Sequence, residues 1–241
     1  MALPVVILAG GLATRMRPAT TRVPKALLSV KGRPFADIQL EWLRSLGVSE
    51  VIYSIGYLGE AIVEHVGDGG RLGLRVRYVP DGDRPLGTAG ALRLVIDRGA
   101  VGQSFGVING DSYLSMDLSH VEADFATSGC PALMTVMRNR GRWGASNAVY
   151  RNGRVIVYDK SRPAEWRDQM EWIDYGFAII SRAAVTDRVA AGEVADLADL
   201  MRDLSLAGQL AGYEVTERFY EIGSPQGLSD LERALAGGDG V

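Results

Sequence analysis

The stretch Leu3-Pro4-Val5-Val6-Ile7-Leu8-Ala9-Gly10-Gly11-Leu12-Ala13-Thr14-Arg15-Met16-Arg17-Pro18, with Pro24-Lys25 close behind it, decides the reading of this chain. Its apolar run is short, β-branched and bounded by glycine, which predicts a buried strand. Paired glycines let a backbone approach a ligand closely and turn its N–H groups inward. Arg15, Arg17, Arg22 and Lys25 crowd the loop. No acid occurs before Asp37, although the chain carries a formal net charge of −3. A strand running into a glycine loop full of cations predicts a polyphosphate site. A surface turn with solvated charges is the bland alternative.

Two standard phosphate motifs are excluded. A Walker loop needs Gly-x-x-x-x-Gly-Lys-Ser/Thr, and none follows the strand. The dinucleotide fingerprint needs a third glycine two residues after the second, where a helix starts; Ala13 does not fit and Pro18 interrupts.

The 241 residues, 47% hydrophobic and 23% charged, suffice for one large α/β domain with a full core. Cys130 is the single cysteine, which excludes an intrachain disulfide and predicts a packed or idle thiol in a cytoplasmic protein. No apolar stretch is long enough to span a bilayer, and the first apolar run lacks a basic leader, so neither a membrane span nor a signal peptide is expected. Mild acidity argues against nucleic acid as the main partner. His65 and His120 lack metal-ligand spacing or a partner in sequence. Lysine occurs only at positions 25, 31 and 160, against 23 arginines. A lysine that remains suggests a need for a compact ammonium rather than a planar fork.

Strand and helix patterns alternate through the first half: helix over 35–46, strand 51–55, helix 61–66, strand 74–79, helix 86–96, strand 105–108. This alternation predicts right-handed βαβ units and a Rossmann-like, mostly parallel central sheet flanked by helices. After Pro131 the pattern becomes strand-rich, at 133–137, 147–150, 155–158 and 173–180, with a hairpin predicted around Asn152-Gly153. Helices return at 197–207 and 225–236, and residues 237–241 read as a frayed tail. The expectation is a single domain over 1–241. Its first half, 1–130, mainly holds a nucleotide, because ligands sit beyond the carboxyl ends of strands in open α/β sheets. Its second half, 131–241, covers the other substrate.

Further constellations follow. Asn109-Gly110-Asp111 ends a buried strand, where a carboxylate can reach a metal held on phosphates; an Asx turn is the alternative. Pro85-Leu86-Gly87-Thr88-Ala89-Gly90-Ala91 is a second glycine turn opening a helix, with small side chains against which a flat base can lie. Ordinary helix capping and a role against a base can both hold there.

The segment Gly10 to Lys25 resembles the signature of the sugar-1-phosphate nucleotidylyltransferases, Gly-Gly-x-Gly-Thr-Arg-x-x-Pro-x-Thr-x-x-x-Pro-Lys. Ala13 replaces the third glycine and fits only where that position needs no positive φ. The later motifs extend the resemblance along nearly the whole chain. It implies that Arg15 and Lys25 bind the nucleotide phosphates and stabilise pyrophosphate departure, with Asp111 as the third catalytic residue. Leu8, Ala9, Gly10, Gly11, Thr14, Asp83, Pro85, Gly87, Thr88, Asn109 and Gly110 then join Arg15 in holding the nucleotide. Asp81, Asp83 and Arg84 crowd the place of an acidic or Gln residue near the base. Asp111 and Glu221, in Tyr220-Glu221-Ile222-Gly223-Ser224-Pro225, stand where the family holds Mg²⁺. Glu221 replaces an aspartate there, and pairing of Glu221 with a loop arginine such as Arg15 is the alternative. Trp143-Gly144, Asp159-Lys160 and Asp174-Tyr175-Gly176 match the family's sugar-phosphate segments, with Asp174 in place of Asn. Trp143 and Tyr175 could equally fill the core.

The resemblance implies nucleotidyl transfer from an NTP to a sugar 1-phosphate, giving an NDP-sugar and pyrophosphate. GTP with D-glycero-D-manno-heptose 1-phosphate or mannose 1-phosphate is the best match. Uridylyl or thymidylyl transfer onto another sugar 1-phosphate is the alternative, activation of a non-sugar phosphate such as phosphocholine a further rival, and a non-catalytic regulatory subunit the reading from another class. Assembly into a homo-oligomer is left open.

Overall fold

The computed structural model describes residues 2–82 and 84–237. The opening apolar run is β1 (Val5–Ala9). Single 3-10 turns follow at Thr14–Met16, Ala19–Thr21 and Lys25–Leu27. A two-residue ladder of β2 (Ser29–Val30) and β3 (Arg33–Pro34) leads into α1 (Phe35–Ser45). Then come β4 (Glu50–Ile55), α2 (Gly59–Val66), β5 (Arg75–Pro80), α3 (Gly87–Asp97) and β6 (Ser104–Asn109). The chain continues through β7 (Ser112–Tyr113), α4 (Leu118–Ser128), β8 (Ala132–Arg138), β9 (Ala148–Arg151) and β10 (Arg154–Tyr158). It closes with α5 (Ala164–Arg167), β11 (Trp172–Ser181), α6 (Arg182–Thr186), α7 (Leu197–Leu206), β12 (Leu210–Glu214), β13 (Tyr220–Glu221) and α8 (Pro225–Gly237). The fold class is α/β, as the alternating pattern predicts.

Contacts group these elements into two compact units. The first contains β1 to β5, α1 and α2, with the end of β6, β7, β13 and α8. Its strand order is β5-β4-β1, with β1 and β5 both parallel to β4. Strands of a parallel sheet are covered on both faces, so they need apolar residues without alternation. Val5, Val6, Ile7, Val51, Ile52 and Tyr53 are accordingly all fully buried. The α1 helix buries Ile38, Leu40, Trp42 and Leu43, and Asp37 beside them is paired. It accepts from Arg71 at 2.7 Å and lies 3.0 Å from His65 Nε2, so His65 has the partner that the sequence did not reveal.

The second unit contains α3, most of β6, and α4 to β12. Its strand order is β6-β11-β8-β12-β10-β9. Here β8 and β12 run parallel, while β11 with β8, β10 with β12 and β10 with β9 are antiparallel. The predicted hairpin joins β9 to β10, and both Asn152 and Gly153 adopt positive φ, as a type I′ turn requires. Cys130 is buried beside the Arg154 guanidinium. The β11 strand slips register against β8 between Asp174 and Ala178. Gly176 lies in this bulge with φ +105°, and the Thr135 hydroxyl, which donates to Phe177 O at 2.7 Å, fills the broken ladder.

Candidate functional site

The loop after β1 divides its two glycines by task. A Cβ on Gly10 would sit 2.5 Å from Asp81 Oδ2, whereas one on Gly11 would meet nothing within 4 Å. A side chain on Gly10 would thus press on the Asp81 carboxyl, and Gly11 borders open space. Ser54 donates to Asp81 Oδ1 at 3.2 Å, and burial pushes the Asp81 carboxyl up. Asp83 lies outside the described residues.

Ala13 overturns its own condition. Its φ is +49° and ψ +38°, the left-handed region that the absent glycine would occupy freely. The carbonyl of Ala13 accepts from the Thr20 hydroxyl at 2.8 Å and from Met16 N–H at 3.1 Å, which fixes the strained turn. Thr14 and Arg15 then form a 3-10 turn with Met16, and both are exposed while Met16 is buried.

Asn109-Gly110-Asp111 is pinned from every side. Gly110 N–H donates to Leu8 O at 2.9 Å, and a Cβ on Gly110 would crowd Ala9 and Leu8 at 3.1 Å. Gln39, fully buried on α1, donates from Nε2 to Asn109 O at 2.9 Å and to Ser112 O at 2.7 Å. Ile222 N–H donates to Asp111 O at 2.9 Å, and Glu221 pairs with Ser112 in the β13–β7 ladder. The backbone of Glu221 thus stands beside that of Asp111, and its side chain is exposed.

Lys25 Nζ lies 2.8 Å from Asp111 Oδ2. Gly223 faces the pair. A Cβ there would sit 3.0 Å from Asp111 Oδ2, 3.4 Å from an Arg15 guanidinium nitrogen and 3.9 Å from Lys25 Nζ. The predicted trio of Arg15, Lys25 and Asp111 therefore converges on one backbone cradle that a methyl group would fill. Among the described residues no cluster of three or more His, Cys, Asp or Glu could hold a metal by itself. Magnesium on a polyphosphate needs only one or two carboxylates, so a site with Asp111 and the neighbouring Glu221 segment fits such an ion when phosphates complete the shell.

The second glycine turn has a structural explanation. Gly87, at φ +71°, and Gly90 have no room for a Cβ against the carbonyls of Ala195 and Glu193. Ala89 and Gly90 N–H groups donate to Ala195 O at 2.9 and 3.2 Å. The Thr88 hydroxyl accepts from Leu197 N–H at 2.7 Å and donates to Asp196 at 3.2 Å. The first turn of α3 thus spends its free donors on the 193–197 loop, a pairing invisible in the local sequence. Pro85 remains exposed.

Three further segments, read separately in the sequence, meet at Asn147 in the second unit. Its N–H donates to Trp172 O and its carbonyl accepts from Asp159 N–H, each at 2.9 Å, while Oδ1 accepts from Asp174 N–H at 3.0 Å. Asn139, fully buried, folds the adjoining loop: Nδ2 donates to Gly144 O at 2.8 Å and Oδ1 accepts from Trp143 N–H at 3.0 Å. Trp143 and Gly144, Asp159 and Lys160, and Asp174 and Gly176 therefore share one neighbourhood. Asp174 Oδ1 accepts from Gly176 N–H at 3.0 Å, and Oδ2 accepts from the Tyr158 hydroxyl at 3.2 Å. Burial pushes the Asp174 carboxyl up, against the opposing pulls of Gly176 N–H, the Lys160 charge and Tyr158. The Tyr175 ring is buried in the core. Sequence reading missed Asn139, Asn147 and Tyr158; an Asn on each side of the Trp-Gly pair was the only local hint.

The family model described as nucleotidyl transferase matches residues 4–142. The N-acetylmuramate alpha-1-phosphate uridylyltransferase of Neisseria meningitidis serogroup B is 29% identical over 234 residues, which cover 96% of this chain and 97% of that protein. The D-glycero-alpha-D-manno-heptose 1-phosphate guanylyltransferase of Campylobacter jejuni is 32% identical over 142 residues, 59% of this chain and 62% of that one. The crystal structure of HddC from Yersinia pseudotuberculosis superposes with a TM-score of 0.76 at 22% identity, covering 97% of this chain and 99% of that one, which is likeness of fold. Among the described residues no helix is long and apolar enough to cross a membrane.

Proposed function

The chain belongs to the nucleotidyl transferase family, and from that premise we propose that it joins an NTP to a sugar 1-phosphate, releasing pyrophosphate. The observation that carries the reading is the convergence of Arg15, Lys25 and Asp111 on the Gly223 backbone. The sugar phosphate oxygen attacks the α-phosphorus in line, and pyrophosphate leaves. The phosphate nucleophile is already ionised, so catalysis rests on positioning and on neutralising charge rather than on proton transfer. Arg15 and Lys25 hold the phosphates and meet the charge that develops on the departing pyrophosphate. Gly11 gives the polyphosphate backbone access, while Gly10 and Gly110 fix the loops on either side. Asp111, with Glu221, would hold a divalent ion, Mg²⁺ in this reading, and that ion would add charge neutralisation on the phosphate oxygens when bound.

The nucleotide falls mainly to residues 1–130 and the sugar phosphate mainly to 131–241. In the latter, Lys160 offsets charge on the incoming phosphate. Trp143, Gly144, Asp159, Asp174 and Gly176 contact the sugar, and the Asn147 junction keeps these segments in register. GTP with a manno-configured sugar, heptose or mannose, is the first substrate reading. UTP with another sugar 1-phosphate is the second, and the relative that matches along the full length favours it. Pyrophosphate release screened across four NTPs and a panel of sugar 1-phosphates tests both. One NTP and sugar pair should stand out, and no release with any pair would overturn the assignment.

A further inference from the structure

We propose that Gln39 is a positioning residue for Asp111, fixing the direction of its carboxylate toward the phosphate-bound divalent ion. The inference rests on the nucleotidyl transfer reading and adds to it a residue remote in sequence that touches no substrate. Gln39 lies on α1, fully buried, in a helix whose neighbouring core positions are Ile38, Leu40 and Leu43. An apolar side chain would satisfy packing there. The amide instead donates both of its N–H bonds, from one nitrogen, to the carbonyls of Asn109 and Ser112 at 2.9 and 2.7 Å. Those carbonyls bracket Gly110-Asp111. Two further backbone groups of the turn are also taken, Gly110 N–H by Leu8 O and Asp111 O by Ile222 N–H, which restricts the arrangements open to it.

The amide is retained against a cost. Gln39 Oε1 and Ser112 Oγ are buried with no hydrogen-bond partner among the described residues. An orphaned buried oxygen disfavours the folded state, so the two donated bonds must supply something that packing does not. They set where the Asp111 side chain leaves the backbone. Asparagine is too short to bridge both carbonyls, and lysine or arginine would bury a charge.

The test uses the purified full chain with Mn²⁺ and saturating inorganic pyrophosphate as probe, protein-bound Mn²⁺ read by electron paramagnetic resonance, beside amide hydrogen exchange over 109–112. Gln39→Met should weaken Mn²⁺ binding by ~10-fold or more, the scale for losing a group that orients a metal ligand. It should also speed exchange in the turn, lower kcat and leave the sugar phosphate KM within about twofold, since only groups that bind substrate uniformly move KM alone. In an Asp111→Asn background the same change should cost no further Mn²⁺ affinity, because Gln39 acts through Asp111. Wild-type Mn²⁺ affinity in folded Gln39→Met, or a loss that adds in full to that of Asp111→Asn, would overturn the proposal. If Gln39→Met fails to fold, Gln39→Glu keeps the shape. Even protonated, that acid donates one hydrogen bond in place of two, so it should still weaken Mn²⁺ binding and speed exchange over 109–112, and wild-type values of both overturn the proposal. Absence of pyrophosphate release by the wild type with every substrate pair would instead sink the underlying reading, independently of the Mn²⁺ and exchange measurements.

Discussion

The Lys25 ammonium and the Asp111 carboxylate meet at 2.8 Å across 86 residues of chain. Both remain partly exposed, at 23% and 15% of the side chain. A cation and an anion so placed can exchange each other for phosphate and metal without either being buried unpaired, which would be the costly alternative. In the proposed function, this pair opens onto a metal–polyphosphate.

Arg15→Ala and Lys25→Ala should each cut turnover ~100-fold or more, the scale for losing one donor to charge developing in a transition state. Pyrophosphate release by the purified, folded variants checks this. Near-normal turnover in both would remove the polyphosphate role from the cation loop.

Gly223→Ala separates site from scaffold. Gly223 needs no positive φ, so an alanine backbone fits there, and the new methyl would press on Asp111 Oδ2 at 3.0 Å. Stability should move by less than about 0.5 kcal/mol, while turnover should drop ~10-fold or more through displaced groups. Thermal unfolding and turnover measured together decide it; a fully active Gly223→Ala protein would place the reacting phosphates elsewhere.

Activity should require a divalent ion, and Asp111→Asn should nearly abolish it. Glutamate reaches roughly 1.5 Å further than aspartate, and octahedral Mg²⁺ tolerates little positional error. Glu221→Asp should therefore raise the half-maximal Mg²⁺ concentration, and Glu221→Gln, which loses the charge at unchanged length, should raise it further. One shared metal dependence among wild type and both Glu221 variants would leave Asp111 as the sole protein ligand.

Ala13→Gly should stabilise the fold by about 1 kcal/mol, because an L-residue at φ +49° carries left-handed strain that glycine lacks. Part of the gain is offset by the greater freedom of glycine in the unfolded chain. Chemical unfolding measures it, and a loss of stability would show that the Ala13 methyl makes contacts worth more than the strain.

Asp174→Asn should gain stability relative to wild type as pH rises. Burial raises the Asp174 pKa above its ordinary value, so the folded state favours the protonated acid. The contribution is therefore fully present below the ordinary carboxylate range and is lost as pH climbs through the raised value. Asparagine has no proton to lose, and it is the residue that the resembled motif carries. Unfolding midpoints of both proteins over a pH series test the sign; parallel curves would mean that Asp174 ionises without cost.

Local chemistry was enough for most of the fold and much of the candidate site. The β-branched run Val5 to Leu8, the Asn152-Gly153 turn and the apolar spacing of Phe35 to Leu43 each impose their conformation within a few residues, through side-chain sterics and burial. The cation loop and Asp111 were likewise legible as chemistry, and the segments at 143–144, 159–160 and 174–176 were singled out through the family resemblance. Less legible were the elements that owe their form to distant partners. The β12 strand is only Leu-Ala-Gly-Tyr-Glu, interrupted by Gly212, and becomes a strand by pairing with β8 and β10. The glycines at 87 and 90 look like a ligand turn until the carbonyls of 193 and 195 are set against them.

The sequence by itself determined the α/β class, the strand–glycine–cation loop and the residue types able to handle phosphate. Those properties depend on neighbours three or four positions away, or on composition. Only the tertiary structure decided that Gly10 lies against Asp81, that Ala13 is left-handed, that Gln39 braces the Asp111 turn, and that Asn147 gathers three separate segments. The physical reason is that hydrogen bonds and van der Waals limits act over a few ångströms of space, whatever the separation along the chain. Gln39 and Asn109, 70 residues apart, are neighbours only after folding has placed α1 against the end of β6.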